Sequence, residues 1–217
     1  MSSTKKSKSA TGLAAAAVGT LTVGLLSAMG VAGPAHAVSI DVVFTCSFPI
    51  VGDQPVASTV SIPLPAEIQK GVATGKLPIA AVSTINEDTV SGMGLVGGKS
   101  LEGKGTSKAN IKAPTINLNP AIPVTIDPTP VPESGTLQVT ANGASPSLTF
   151  PQVGDGSVTL TGLTLGPMIL RDSAGAPIQL VEGSDTFDAP CTLAAPVVLA
   201  NFKVIDAPTP TPTPTPT

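Results

Sequence analysis

The sequence contains two cysteines, Cys46 and Cys191, which lie near opposite ends of its globular part. Apolar residues alternate with more polar ones from Ile40 to Ser47, a pattern typical of a strand with one buried face, and Cys46 lies on the apolar face. In an exported chain, two cysteines indicate a disulfide, which would join this first strand to one of the last. Such a bridge restricts the unfolded chain and would stabilise the fold by about 4 to 5 kcal/mol at most. Two free buried thiols are the alternative.

The first 37 residues have the three parts of a secretory signal peptide. Three lysines lie within residues 5–8, an uncharged apolar run covers residues 13–32, and Ala35-His36-Ala37 fits a cleavage site with small residues. An uncleaved membrane anchor is the alternative, because about 20 apolar residues can span a bilayer. The Gly33-Pro34 break and the Ala-x-Ala site favour cleavage after Ala37. We therefore expect a secreted, extracellular protein without a transmembrane segment after cleavage, with association to the cell wall as a further option.

Removal of residues 1–37 changes the chemistry available to the protein. The single histidine, His36, is lost together with three of the eleven basic residues, which leaves 8 Lys and Arg against 14 Asp and Glu, a net charge of −6 (8 − 14). This acidity argues against nucleic acid and anionic lipid surfaces as partners, since both select clustered Lys and Arg. Without histidine, neither a Ser-His-Asp triad nor a Cys-His pair can form.

A hydrolase that works through paired Asp and Glu carboxylates remains open. Glycosidase sites of that kind usually grip sugars with Trp and Tyr, and the sequence has neither residue. The absence of Trp and Tyr also argues against a carbohydrate-binding module, because such modules stack sugars on aromatic rings. The few aromatic residues are instead predicted to lie in the core, namely Phe44, Phe48, Phe150, Phe187 and Phe202.

Short alternating segments separated by Gly and Pro predict about nine or ten short strands in one domain, residues 38–206, and indicate an all-β sandwich. Residues 66–74 are the only segment after residue 37 with a helical pattern. The clearest predicted hairpin has arms at residues 136–141 and 144–150, with Asn142-Gly143 as its turn. From residue 207 to 217, Pro-Thr repeats predict a disordered, extended tail that serves as a spacer and whose threonines could carry sugar.

Three short patterns resemble binding motifs. The run Gly92-Met-Gly94-Leu-Val-Gly97 matches the dinucleotide-binding G-x-G-x-x-G, but the glycines that follow oppose the helix that such a site needs, so residues 92–100 are predicted to be a flexible loop. Gly98-Lys99-Ser100 resembles the end of a phosphate loop, with the required first glycine missing. Asp185 and Asp188 could bind calcium weakly, although aspartates are also common in β-turns. We predict no catalytic, cofactor or metal residues.

Several segments resemble, in order, the DUF6801 family, a domain of unknown function found in secreted proteins of actinobacteria. They are Phe44-Thr-Cys46-Ser-Phe-Pro49, Val131-Pro-Glu-Ser-Gly135, the run from Ala141 to Phe150, and Cys191. The resemblance covers roughly residues 40 to 205. It implies an immunoglobulin-like β-sandwich with a Cys46–Cys191 bridge and an extracellular or envelope location, and it implies no activity.

The sequence therefore favours a non-enzymatic, secreted or envelope-associated module that presents a binding surface. A cell-wall component or another surface protein is the expected kind of partner. A secreted hydrolase using Asp and Glu carboxylates is the alternative.

Overall fold

The computed structural model describes residues 38–208. The predicted signal peptide, its cleavage at Ala37, and the Pro-Thr tail from Thr209 onward lie outside these described residues.

The described residues form eleven strands and one helix. In chain order the strands are β1 (Val38–Phe48), β2 (Gly52–Ile62), β3 (Glu67–Gln69), β4 (Pro78–Ile85), β5 (Ser100–Ala113), β6 (Ile116–Leu118), β7 (Ala121–Pro130), β8 (Leu137–Ala144), β9 (Gly154–Arg171), β10 (Phe187–Thr192) and β11 (Val197–Ile205). The helix is α1 (Glu87–Leu95).

Eight of these strands close into an antiparallel barrel, in the order β9-β10-β1-β2-β4-β8-β7-β5 and back to β9. The prediction of an immunoglobulin-like sandwich is therefore wrong. A sandwich has two separate sheets with free edges, whereas here the edge of β5 that faces away from β7 pairs with β9 from Ser100 to Lys112. The all-β class is confirmed, since the described residues form eleven strands and one short helix. Strand alternation could not distinguish a barrel from a sandwich, because it is the same in both.

The three remaining strands extend the barrel at its margins. The long strand β9 pairs with β11 through residues 154–160 and with β10 through residues 163–168. Strand β3 runs parallel to β11, and β6 pairs with the end of β5.

The predicted hairpin at Asn142-Gly143 is also wrong, because β8 runs straight through these two residues. Asn142 pairs with Ala80 on β4, and Gly143 pairs with Val124 on β7. A Cβ atom on Gly143 would lie only 2.7 Å from the carbonyl oxygen of Pro123. The glycine therefore permits close strand approach instead of a turn.

The helix lies elsewhere than the sequence pattern indicated. Residues 66–74 contain β3 and turns, whereas α1 includes Gly92 and Gly94 of the predicted loop. Asn86 caps the helix, its side-chain oxygen accepting a hydrogen bond from the Thr89 amide at 3.1 Å. Tertiary packing overrides the low helix propensity of glycine here, since Gly92 is buried against Val51.

The predicted core residues and the disulfide are confirmed. All five phenylalanines are buried, and Phe150 and Phe202 pack with ring centroids 5.0 Å apart. Cys46 and Cys191 face each other across β1 and β10 and are joined by a disulfide. Within residues 38–208, no helix is both long and apolar enough to cross a membrane.

Candidate functional site

The interior of the barrel contains a cavity of about 110 Å³. Inward-facing side chains from seven of the eight barrel strands line it, and they are almost all aliphatic or aromatic. An eight-stranded barrel is just wide enough to be filled by side chains or to hold one small ligand. Which of the two occurs depends on the size of the inward-facing residues.

In this barrel, small residues occupy inward positions on several strands. Ser58 on β2 pairs in register with Ser83 on β4, and Ala81 on β4 pairs with Ala141 on β8. Ala109 contributes another small side chain from β5, and all five residues line the cavity. Protein interiors are normally close-packed, so residues of this size in place of Leu or Ile leave space at the barrel centre.

Several larger lining residues are only half-buried although they face the barrel interior. Val60 on β2, Ile79 on β4, and Leu163 and Leu165 on β9 share this property. Apolar residues on the inner face of a closed barrel would be fully buried if the centre were filled. Their exposed surface therefore marks the walls of the cavity.

Two different structures cover the ends of the barrel. Strand β4 ends one residue before the N-cap of α1, and the helix buries Val90 and Met93 at this end. At the other end, just before β4 begins, residues 70–77 run beside residues 145–150. Three backbone hydrogen bonds of 2.8–2.9 Å join these two segments, from Gly71 N to Phe150 O, from Thr74 N to Leu148 O, and from Ser145 N to Leu77 O.

Among the described residues no charged side chain lines the cavity, and the polar side-chain groups of the lining are five hydroxyls. The Ser58 and Ser83 Oγ atoms are hydrogen-bonded to each other at 2.7 Å. Thr74 Oγ1 donates to Gly75 O and accepts from the Leu148 amide, and Ser145 Oγ accepts from the Leu77 amide. The fifth hydroxyl belongs to Ser107, which makes no side-chain hydrogen bond within the described residues. The cavity can thus bind a largely apolar molecule, but it offers no acid or base for catalysis.

The structure does not bring the sequence-predicted motif residues to this cavity. Gly92 and Gly94 lie in α1, and Gly97 follows it with a φ of 83°. Asp185 and Asp188 are exposed, and the Asp185 carboxylate accepts a hydrogen bond from Gln179. Among residues 38–208 there is no group of three or more His, Cys, Asp or Glu side chains placed to hold a metal ion.

Sequence reasoning placed Phe44, Phe48, Phe150 and Phe202 in the core, and all four line the cavity, but it missed the small residues that leave the space open. Their signal is the occurrence of Ala and Ser at alternate positions within otherwise apolar strand faces, as at Ser58, Ala81 and Ser83. That signal becomes readable only once strand pairing shows that these residues face the same space.

Comparison with known proteins gives one match. A family model described as a family of unknown function, DUF6801, matches residues 43–200. Neither the curated proteins nor the solved structures contain a match to this chain.

Proposed function

Because the chain belongs to the DUF6801 family, whose function is unknown, we propose a role from the barrel itself: an exported, non-enzymatic protein that binds a small apolar ligand in its interior. The observation that carries this proposal is the cavity of about 110 Å³ with its nearly all-apolar lining. A site of this kind gains affinity by removing apolar ligand surface from water.

The cavity volume limits the size of the ligand. An apolar cavity of about 150 Å³ in another protein stays dry and binds benzene. The cavity here is somewhat smaller, so the enclosed ligand, or the enclosed part of a longer one, is roughly the size of one six-membered ring or a short alkyl chain.

Export and the absence of catalysis rest on further observations. A disulfide between β1 and β10 suits an oxidising compartment, because cytosolic thiols are kept reduced. Within residues 38–208, the lysines, the single arginine and most carboxylates lie on the outer surface, and no charged side chain of this range lines the cavity. Binding, and not acid–base chemistry, is therefore the function that the interior supports.

Ligand binding is tested with benzene as the test ligand and the purified protein, followed by NMR shifts of the methyl groups that line the cavity. We expect saturable shifts in the wild-type protein. Ala81→Leu adds bulk on the inner face and should abolish them, whereas the matched control Ala57→Leu adds the same bulk on the exposed outer face and should not. No saturable binding to the wild type, or equal binding by Ala81→Leu, would refute the proposal.

Export is tested separately by the mass of the protein recovered from the medium of producing cells. We expect a chain that starts at Val38 and whose two cysteines react with iodoacetamide only after reduction. Retention of the protein inside the cells with residues 1–37 attached would contradict this part of the proposal.

A further inference from the structure

The hydroxyl of Ser107 differs from the other hydroxyls that line the cavity. Ser58, Ser83, Thr74 and Ser145 each make at least one hydrogen bond with the protein, at distances between 2.7 and 3.1 Å. Ser107 lines the cavity from β5, and its side chain has no hydrogen-bond partner among residues 38–208. It therefore presents an open donor and two open acceptor sites to the cavity.

The residues that pair with Ser107 in register offer it no polar side chain. Ile122 on β7 and Leu163 on β9 are its partners in register, and both are apolar residues of the cavity wall. The inward positions before and after it on β5 are Gly105 and Ala109. Ser107 is half-buried, and none of the buried side-chain nitrogen or oxygen atoms in residues 38–208 lacks a hydrogen-bond partner. The Ser107 hydroxyl therefore keeps accessible surface that faces the cavity, where a ligand can reach it.

A trapped water molecule is a poor partner for this hydroxyl. A buried water is typically held by two to four polar groups. At Ser107 it would find one, since the nearest wall residues are apolar and the Ser58–Ser83 pair lies on the far wall. In the ring of eight strands, β2 and β5 are four strands apart and therefore face each other across the barrel. A ligand that carries its own polar group has no such requirement.

From this arrangement we infer that Ser107 is the polar anchor of the cavity, and that the ligand class is a small amphiphile with an apolar body and one hydroxyl or carbonyl group. The polar group of the ligand hydrogen-bonds to Ser107 Oγ. The apolar body fills the space beside the small side chains of Ala81 and Ala141. This inference rests on the proposed function and names the ligand class that the same cavity selects.

Phenol and benzene are the test ligands, because they differ by a single hydroxyl group. Their dissociation constants are measured by NMR titration with the wild-type protein, Ser107→Ala and the control Thr106→Ala. Thr106 precedes Ser107 on β5 and does not line the cavity. In Ser107→Ala the affinity for phenol relative to benzene should fall about tenfold, the effect of losing one hydrogen bond. In Thr106→Ala this ratio should stay within about twofold of the wild-type ratio.

The stability of the unliganded Ser107→Ala protein is a second, independent measurement. Removal of a hydroxyl without a partner should leave the free energy of unfolding unchanged or slightly higher. The variant should therefore fold, and Ser107→Thr, which keeps a hydroxyl, should retain much of the preference for phenol. If both ligands still bind Ser107→Ala with an unchanged ratio of phenol to benzene affinity, Ser107 is not the polar anchor. The proposal that the cavity binds apolar ligands would still stand. If neither ligand binds the wild-type protein, both the proposed ligand binding and the role of Ser107 as its anchor are refuted.

Discussion

The barrel end beside α1 and the barrel centre are built from the same strands, yet the first leaves only about 20 Å³ of free space and the second a cavity of about 110 Å³. At this end, Val90 of α1 and Leu170 on β9 do not line the cavity, and both are buried to 1% exposure or less. At the centre, Ala81 and Ala141 pair in register across β4 and β8 and are half-buried. Alternation along a strand decides which residues point inward, and side-chain volume decides whether that interior is a core or a binding site.

The largest expected effect concerns the disulfide, which ties β1 to β10 and does not line the cavity. The double substitution Cys46→Ala and Cys191→Ala should lower the free energy of unfolding by about 2 to 5 kcal/mol, because the unfolded chain regains its freedom. Urea denaturation measures this change. Reduction of the wild-type protein is the control and should shift the midpoint in the same direction. Equal midpoints for the reduced and oxidised wild type would contradict the prediction.

Substitution of two leucines on β9 by alanine compares the packed end with the cavity wall directly. Leu170→Ala should cost about 2 to 5 kcal/mol, since Leu170 is fully buried and its removal leaves a new void. Leu165→Ala should cost about half as much or less, because Leu165 is half-buried and already borders open space. Urea midpoints of the two variants give the ranking. Equal losses would mean that the barrel centre is as tightly packed as its end.

Added bulk should lower stability at a filled position of the barrel but not at the cavity wall. Ala189 on β10 is completely buried, so Ala189→Leu should strain the packing and cost about 1 to 3 kcal/mol. Ala81→Leu extends into the cavity and should leave stability unchanged or raise it by up to about 1 kcal/mol. Thermal melting of both variants tests the contrast. A large loss of stability in Ala81→Leu would show that the centre has no room for a leucine side chain.

The features that the sequence predicted correctly depend on residues close together along the chain. The alternation of β1, the burial of Phe44, and the position of Cys46 on an inner face follow from a strand period of two residues. The disulfide could be predicted without knowledge of the fold, since the chain has only two cysteines.

The features that the sequence could not predict depend on which strands meet. The pairing of β5 with β9 turns the sheet into a barrel, yet it joins segments far apart in the chain and leaves the alternation of both strands unchanged. Asn142-Gly143 has the composition of a hairpin turn, but pairing with β4 and β7 on both sides holds it extended. The cavity was hidden for the same reason, because Ser107 and Ser58 belong to one site only after the barrel is closed.

The smallest expected effect concerns the helix that covers the packed end. Asn86 accepts hydrogen bonds from the amide and hydroxyl of Thr89 and donates one to Gln54, so Asn86→Ala should lower the free energy of unfolding by about 1 kcal/mol. Asn86→Ser keeps a capping oxygen and should recover most of this loss. Benzene binding should be unchanged in both variants at a temperature where they are folded, because Asn86 does not line the cavity. Loss of benzene binding in folded Asn86→Ala would mean that the packed end and the cavity are coupled, and that the helix end controls access to the ligand site.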